Sequence, residues 1–145
     1  MKNIELRKEY LANLMVLNVK LHNLHWNIVG KDFVAIHEFT EKLYNAFFEK
    51  FDEVAEMFKI EGIYPPASLK EYLEISSIEE LPSNIDFSGD EVLNIIKNDL
   101  EKMNKLAYSI REIADEEDNF SLVGSMEGDI ESYSKELWFL QSMIK

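Results

Sequence analysis

Apolar residues recur at steps of three and four along most of the chain, in four long stretches separated by clear interruptions. From 3 to 29 the row is Leu6, Tyr10, Leu14, Leu17, Leu21 and Leu24, with no Gly or Pro until Gly30. This predicts one long amphipathic helix, widened near its end by Trp26 and Ile28 and stopped by Gly30. Asp32 is placed to cap a second helix over about 32–59, whose apolar rows are Phe33, Ile36, Leu43, Phe47, Phe51, Val54 and Phe58. Gly62-Ile63-Tyr64-Pro65-Pro66 ends that pattern, because two prolines cannot continue a helix. Ser68 with Glu71 reads as a capping box that opens a short helix to about Leu73, followed by a polar stretch around Pro82. A second box, Ser88 with Glu91, opens a third long helix through Val92, Ile96, Leu100, Met103 and Ile110 to about Ala114. The acidic run 115–118 marks its end, and a fourth helix starts near Ser121 and carries Val123, Met126, Ile130, Tyr133, Leu137 and Leu140 to about Ile144. The expected fold is all-α: a four-helix bundle with a short helix in the long crossover between helices 2 and 3, as one domain over 1–145.

Composition narrows the chemistry. A chain of 145 residues can bury a core without staples, and the absence of Cys removes disulfide frameworks, zinc-thiolate sites and thiol nucleophiles. The formal net charge of −13 repels phosphate backbones and attracts cations, so DNA binding is not expected. No apolar run approaches the roughly 20 residues of a membrane span, and the start of the chain does not read as a signal peptide. The cytoplasm is the expected compartment, and no membrane partner is expected.

The candidate chemistry lies between His22 and Phe58, which holds all three histidines of the chain. On the second helix His37 and Glu41 are one turn apart, as are Asp52 and Glu56, so each pair projects from one face. Eleven residues separate Glu41 from Asp52, which leaves the pairs about 20° apart around the helix and roughly 16 Å apart along it. Metal–ligand bonds of about 2.0–2.2 Å cannot span that length, so a second chain has to complete any site that uses both pairs. His25 lies about as far before Gly30 as His37 lies after it, and an antiparallel hairpin brings the two level. Two chains related by a two-fold axis then make two identical sites. Imidazole with carboxylate suits iron, zinc or manganese better than calcium or magnesium.

The run His25-Trp26-Asn27, then His37-Glu38, Glu41 and Asp52-Glu53-Val54-Ala55-Glu56, resembles the ferroxidase signature of the Dps mini-ferritins, members of the ferritin-like superfamily. The resemblance covers essentially the whole chain. It implies a ferritin-like bundle assembled as a hollow homo-dodecamer, with iron sites at two-fold interfaces between subunits. His25, His37 and Glu41 of one chain and Asp52 and Glu56 of its partner would be the ligands. It also implies oxidation of Fe(II), preferentially by hydrogen peroxide, with storage of ferric mineral and protection against oxidative stress. Position 41 departs from the family's usual Asp; Glu41 keeps the charge with one more methylene. In the family, acids in the region of the 115–118 run line three-fold pores through which iron enters the shell, which by motif position implies Asp118 and Glu127, while Val123 stands where Asp is frequent.

Other readings compete. A DNA-compacting shell is the non-enzymatic alternative, but such relatives carry basic tails, whereas the start of this chain has only Lys2, Arg7 and Lys8 among acids. A helical interaction protein with a merely solvated stripe is a second. His22 reads as a surface residue, and His37-Glu38-Phe39-Thr40-Glu41 lacks the second His of the zinc-protease motif. No His follows a Glu by three, so the paired Glu-x-x-His centre of larger ferritins is unsupported. For Trp26, core packing competes with interception of oxidising radicals; for Trp138, packing is the plain reading.

Overall fold

The computed structural model describes residues 3–145, and Lys2 lies outside the described residues. Five helices follow in order: α1 Asn3–Asn27, α2 Phe33–Ile60, α3 Leu69–Ile75, α4 Gly89–Glu116 and α5 Phe120–Ile144. Among the described residues there is no strand, only one isolated parallel bridge between Ile28 and Phe87. Two compact units are formed. One runs from Leu11 to Val92; the other joins the start of α1, as far as Tyr10, to Leu93–Lys145.

In the Leu11–Val92 unit, Leu14, Leu17, Leu21 and Leu24 of α1 are buried, as are Ile36, Leu43, Phe47, Val54 and Phe58 of α2. Each such side chain removed from water contributes roughly 1.5–3 kcal/mol, which is what holds these two helices. α1 stops at Asn27, two residues before the expected end, because the chain turns to pair with the segment ahead of α4. Phe87 N donates to Asn27 O at 2.9 Å and Val29 N to Phe87 O at 2.9 Å. Gly30 follows with φ +113°, a conformation costly for any residue with a Cβ. Asp32 occupies the N-cap of α2, but its side chain makes no cap hydrogen bond. Its carboxylate lies instead beside Gly89, where an added Cβ would sit 3.4 Å from Asp32 Oδ2 and 3.0 Å from Ile36 Cδ1.

Both capping boxes form. Ser68 Oγ accepts from Glu71 N and Ser88 Oγ from Glu91 N, at 3.3 and 3.2 Å. Glu91 Oε1 accepts in return from Ser88 N at 3.0 Å. The short helix runs two residues further than expected, and Tyr72 within it donates to Pro66 O at 2.7 Å. The crossover is tied to α1 by Asn13, a fully buried amide that accepts from Ser76 Oγ at 2.7 Å and Ser77 N at 2.8 Å.

In the other unit α4 buries Leu93, Ile96, Leu100, Met103, Ala107 and Ile110, spaced three or four apart, and α5 buries Leu122, Met126, Tyr133 and Leu140. A polar cluster lies among them. Tyr10 Oη donates to Asp129 Oδ2 at 2.7 Å and meets Tyr133 Oη, so Tyr133 supplies the proton of that second bond. The acidic run is split: Asp115 and Glu116 finish α4, Asp118 takes a left-handed φ of 56°, and Asn119 caps α5 by accepting from Leu122 N at 3.3 Å.

Candidate metal centre

The turn at Gly30 folds the end of α1 back along the start of α2 and brings His25 and His37 face to face. Their rings stack with centroids 3.5 Å apart and planes 17° from parallel. Each ring bonds the other's backbone: His25 Nδ1 lies 2.7 Å from His37 O, and His37 Nδ1 lies 2.9 Å from His25 O. A carbonyl oxygen only accepts, so both Nδ1 atoms carry the proton. The proton on Nδ1 leaves Nε2 as the atom whose lone pair a neutral imidazole offers to a metal.

Burial lowers the pKa of His25, while its hydrogen bond to His37 O and the charge of Glu41 act in the opposite direction. The residue is only 4% exposed, and the neutral form that burial favours is the one a cation requires. His37 is half-buried and stacks on Phe33 at 5.0 Å on its other side. Glu41 is exposed one turn beyond it.

Asp52 and Glu56 stand exposed on the second half of α2. They share a hydrogen bond that, with the repulsion between like charges, raises the pKa of Glu56. A cation beside such a pair would relieve the repulsion between the two like charges. Among the described residues, no three His, Asp or Glu side chains of one chain are placed to hold one metal ion. The chain thus carries two separate candidate donor sets: His25 at the end of α1 with His37 and Glu41 at the start of α2, and the carboxylates Asp52 and Glu56 further along α2.

Sequence reasoning passed over two contributors. Thr40, fully buried, places Oγ1 3.0 Å from His25 Nδ1. Its signal was a hydroxyl in the apolar row between Ile36 and Leu43, where it needs a partner. Tyr44 lies perpendicular to His25 at 5.2 Å and stacks on His22 at 3.7 Å. His22 is accordingly half-buried, with Nδ1 bonded to Asn18 O at 2.7 Å.

Trp26 does not fill the core of the chain: it is 68% exposed and meets the ring of His22 at 5.5 Å. Trp138 is 63% exposed, packed edge-on against Phe139 at 5.1 Å. Of the acids expected at a pore, Asp118 is exposed at its turn, whereas Glu127 accepts from Arg111 Nε and Nη2 at 3.1 and 3.0 Å. Its charge is matched within the chain. Val123 is half-buried.

Residues 5–145 match the family model of the ferritin-like domain. The chain is 34% identical over 141 residues to the DNA protection during starvation protein 2 of Bacillus anthracis, covering 97% of this chain and 95% of that one. It is 28% identical over 142 residues to the DNA protection during starvation protein of Helicobacter pylori, covering 98% of each. The crystal structure of Helicobacter cinaedi CAIP superposes with a TM-score of 0.95 at 30% identity, over 99% of both chains. Dps from Listeria monocytogenes superposes with a TM-score of 0.94 at 30% identity, over 98% of this chain and 92% of that one. The fold is the ferritin-like four-helix bundle of these structures, and the chain belongs to the Dps family of ferritin-like proteins.

Proposed function

We propose that the chain is a mini-ferritin that oxidises Fe(II) with hydrogen peroxide at a site shared between two subunits, and stores the ferric product inside a hollow dodecamer. The observation that carries this reading is the reciprocal bonding of His25 and His37. It fixes the orientation of two imidazoles at the turn between α1 and α2, with Glu41 one turn beyond His37 and a carboxylate pair too distant to join them further along the same helix. A two-fold axis that sets α2 of one subunit antiparallel to α2 of the next places Asp52 and Glu56 of the partner opposite His25, His37 and Glu41.

Iron is the substrate. Imidazole and carboxylate donors suit ferrous iron, and the added carboxylate charge favours the ferric product. Two ferrous ions each give one electron to one peroxide; its O–O bond breaks, leaving two hydroxides before protonation. Paired oxidation avoids the one-electron cleavage that frees hydroxyl radical. The protein acts in the cytoplasm as one ferritin-like domain repeated twelve times, and the exposed acids, Asp118 among them, draw the cation in. A DNA-compacting role is disfavoured by the charge of −13.

The test is size-exclusion chromatography after anaerobic loading with Fe(II) and addition of peroxide at half the iron concentration. Ferric iron is expected to elute with a dodecamer-sized peak. Iron that remains in the low-molecular-weight fraction contradicts the proposal.

A further inference from the structure

We propose that Thr40 is a positioning residue of the iron site, holding the His25 imidazole in the tautomer and orientation that present Nε2 to metal. This rests on the reading of His25 as a ligand. Thr40 Oγ1 lies 2.9 Å from Ile36 O and 3.0 Å from His37 O. Both are pure acceptors, so its single proton points back into α2 and its lone pairs are left to accept. The donor they meet is His25 Nδ1, at 3.0 Å. That N–H is therefore shared between His37 O at 2.7 Å and Thr40 Oγ1, two acceptors fixed on α2.

The opposite tautomer is disfavoured twice over. It would set the Nδ1 lone pair against His37 O with no proton between them, and Thr40 would have to give up its backbone bond to donate. A helical Thr satisfies its hydroxyl with the i−4 carbonyl alone, so the reach across to α1 is not needed for burial. What it adds is a second anchor for the ring. Partners of this kind on the non-ligating nitrogen of a histidine typically change metal affinity about 10–100-fold.

The experiment titrates the intact oligomer with Co(II), without oxidant, following the visible absorption of the bound ion. Thr40→Val and Thr40→Ala remove the hydroxyl; Thr40→Ser keeps it and removes the methyl. Both hydroxyl-less variants are expected to bind Co(II) about tenfold more weakly, the lower end of the range because His37 O remains as acceptor, with Thr40→Ser close to native. Native affinity in either hydroxyl-less variant, or an equal loss in Thr40→Ser, overturns the proposal. His25→Ala runs alongside. If it binds Co(II) like the native protein, the ligand reading itself fails; if it loses binding while Thr40→Val does not, only the role of Thr40 fails.

Discussion

Tyr10→Phe tests the polar cluster buried beside α5. The substitution keeps the ring and removes the hydroxyl, taking one donor from Asp129 and the acceptor of the bond from Tyr133. A hydrogen bond to a buried charged group is worth about 1.5–3 kcal/mol, so the variant should be roughly 2 kcal/mol less stable at pH 7. Alkaline pH gives a second, independent signature. Burial raises both phenols, as do the negative charge of Asp129 on each and the neighbouring Tyr133 on Tyr10. A phenol with a raised folded pKa contributes stability that is fully present below its unfolded value, near 10, and is lost as pH rises towards the folded one. Each raised phenol removes about 1.4 kcal/mol per pH unit in that window, so the native protein should lose about 1.4 kcal/mol per unit more than Tyr10→Phe. Urea unfolding at fixed subunit concentration between pH 7 and about 11 should show two stability curves that converge above pH 10. Equal stability at pH 7, or curves that stay parallel above pH 10, would refute the reasoning.

Other outcomes follow from single features. Gly30→Ala, at φ +113° with nothing within 4 Å to clash, should cost about 1–2 kcal/mol through backbone strain alone, and thermal melting checks it. Glu91 is held below the usual carboxylate range by the backbone N–H and hydroxyl of Ser88. Its stabilising effect is present above the unfolded carboxylate value and is lost as pH falls through the depressed folded one. The stability gap between native protein and Glu91→Gln should close on acidification, which urea unfolding from pH 7 to 3 would show. Duplex DNA should not be retarded by the native oligomer at physiological ionic strength; a salt-dependent band shift would contradict this.

What could be read from the residues alone was whatever depends on near neighbours. Ser68 with Glu71 and Ser88 with Glu91 are three residues apart and cap their helices as the letters imply. The meeting of His25 and His37 needed only a turn at Gly30 and equal arms on either side. Contacts between distant residues were not visible. Asn13 lies in an apolar row and reads as a misfit until Ser77, 64 residues later, proves to be its partner. Tyr10 reads as an ordinary apolar position, although its hydroxyl bonds Asp129, 119 residues away. α1 ends at Asn27 because of Phe87, which no local pattern announces. Trp26 misled in another way: helical spacing marks a face as apolar without saying whether its own chain covers it, and this side chain is 68% exposed. The proposed completion of the metal centre by a partner subunit would be of the same kind, a contact with residues that are near only in space.

That completion is best tested with two inactive variants. His37→Ala removes an imidazole from one donor set and Asp52→Ala a carboxylate from the other, so each homo-oligomer should fold and assemble but lose rapid peroxide-driven Fe(II) oxidation. After disassembly, mixing and reassembly, each heterodimer has one site built from the native His37 of one chain and the native Asp52 of the other, and one site lacking both. Oxidation should return in proportion to the heterodimers formed, with one working site in each. No recovery in verified heterodimers would place the ligands within a single chain and contradict the shared site.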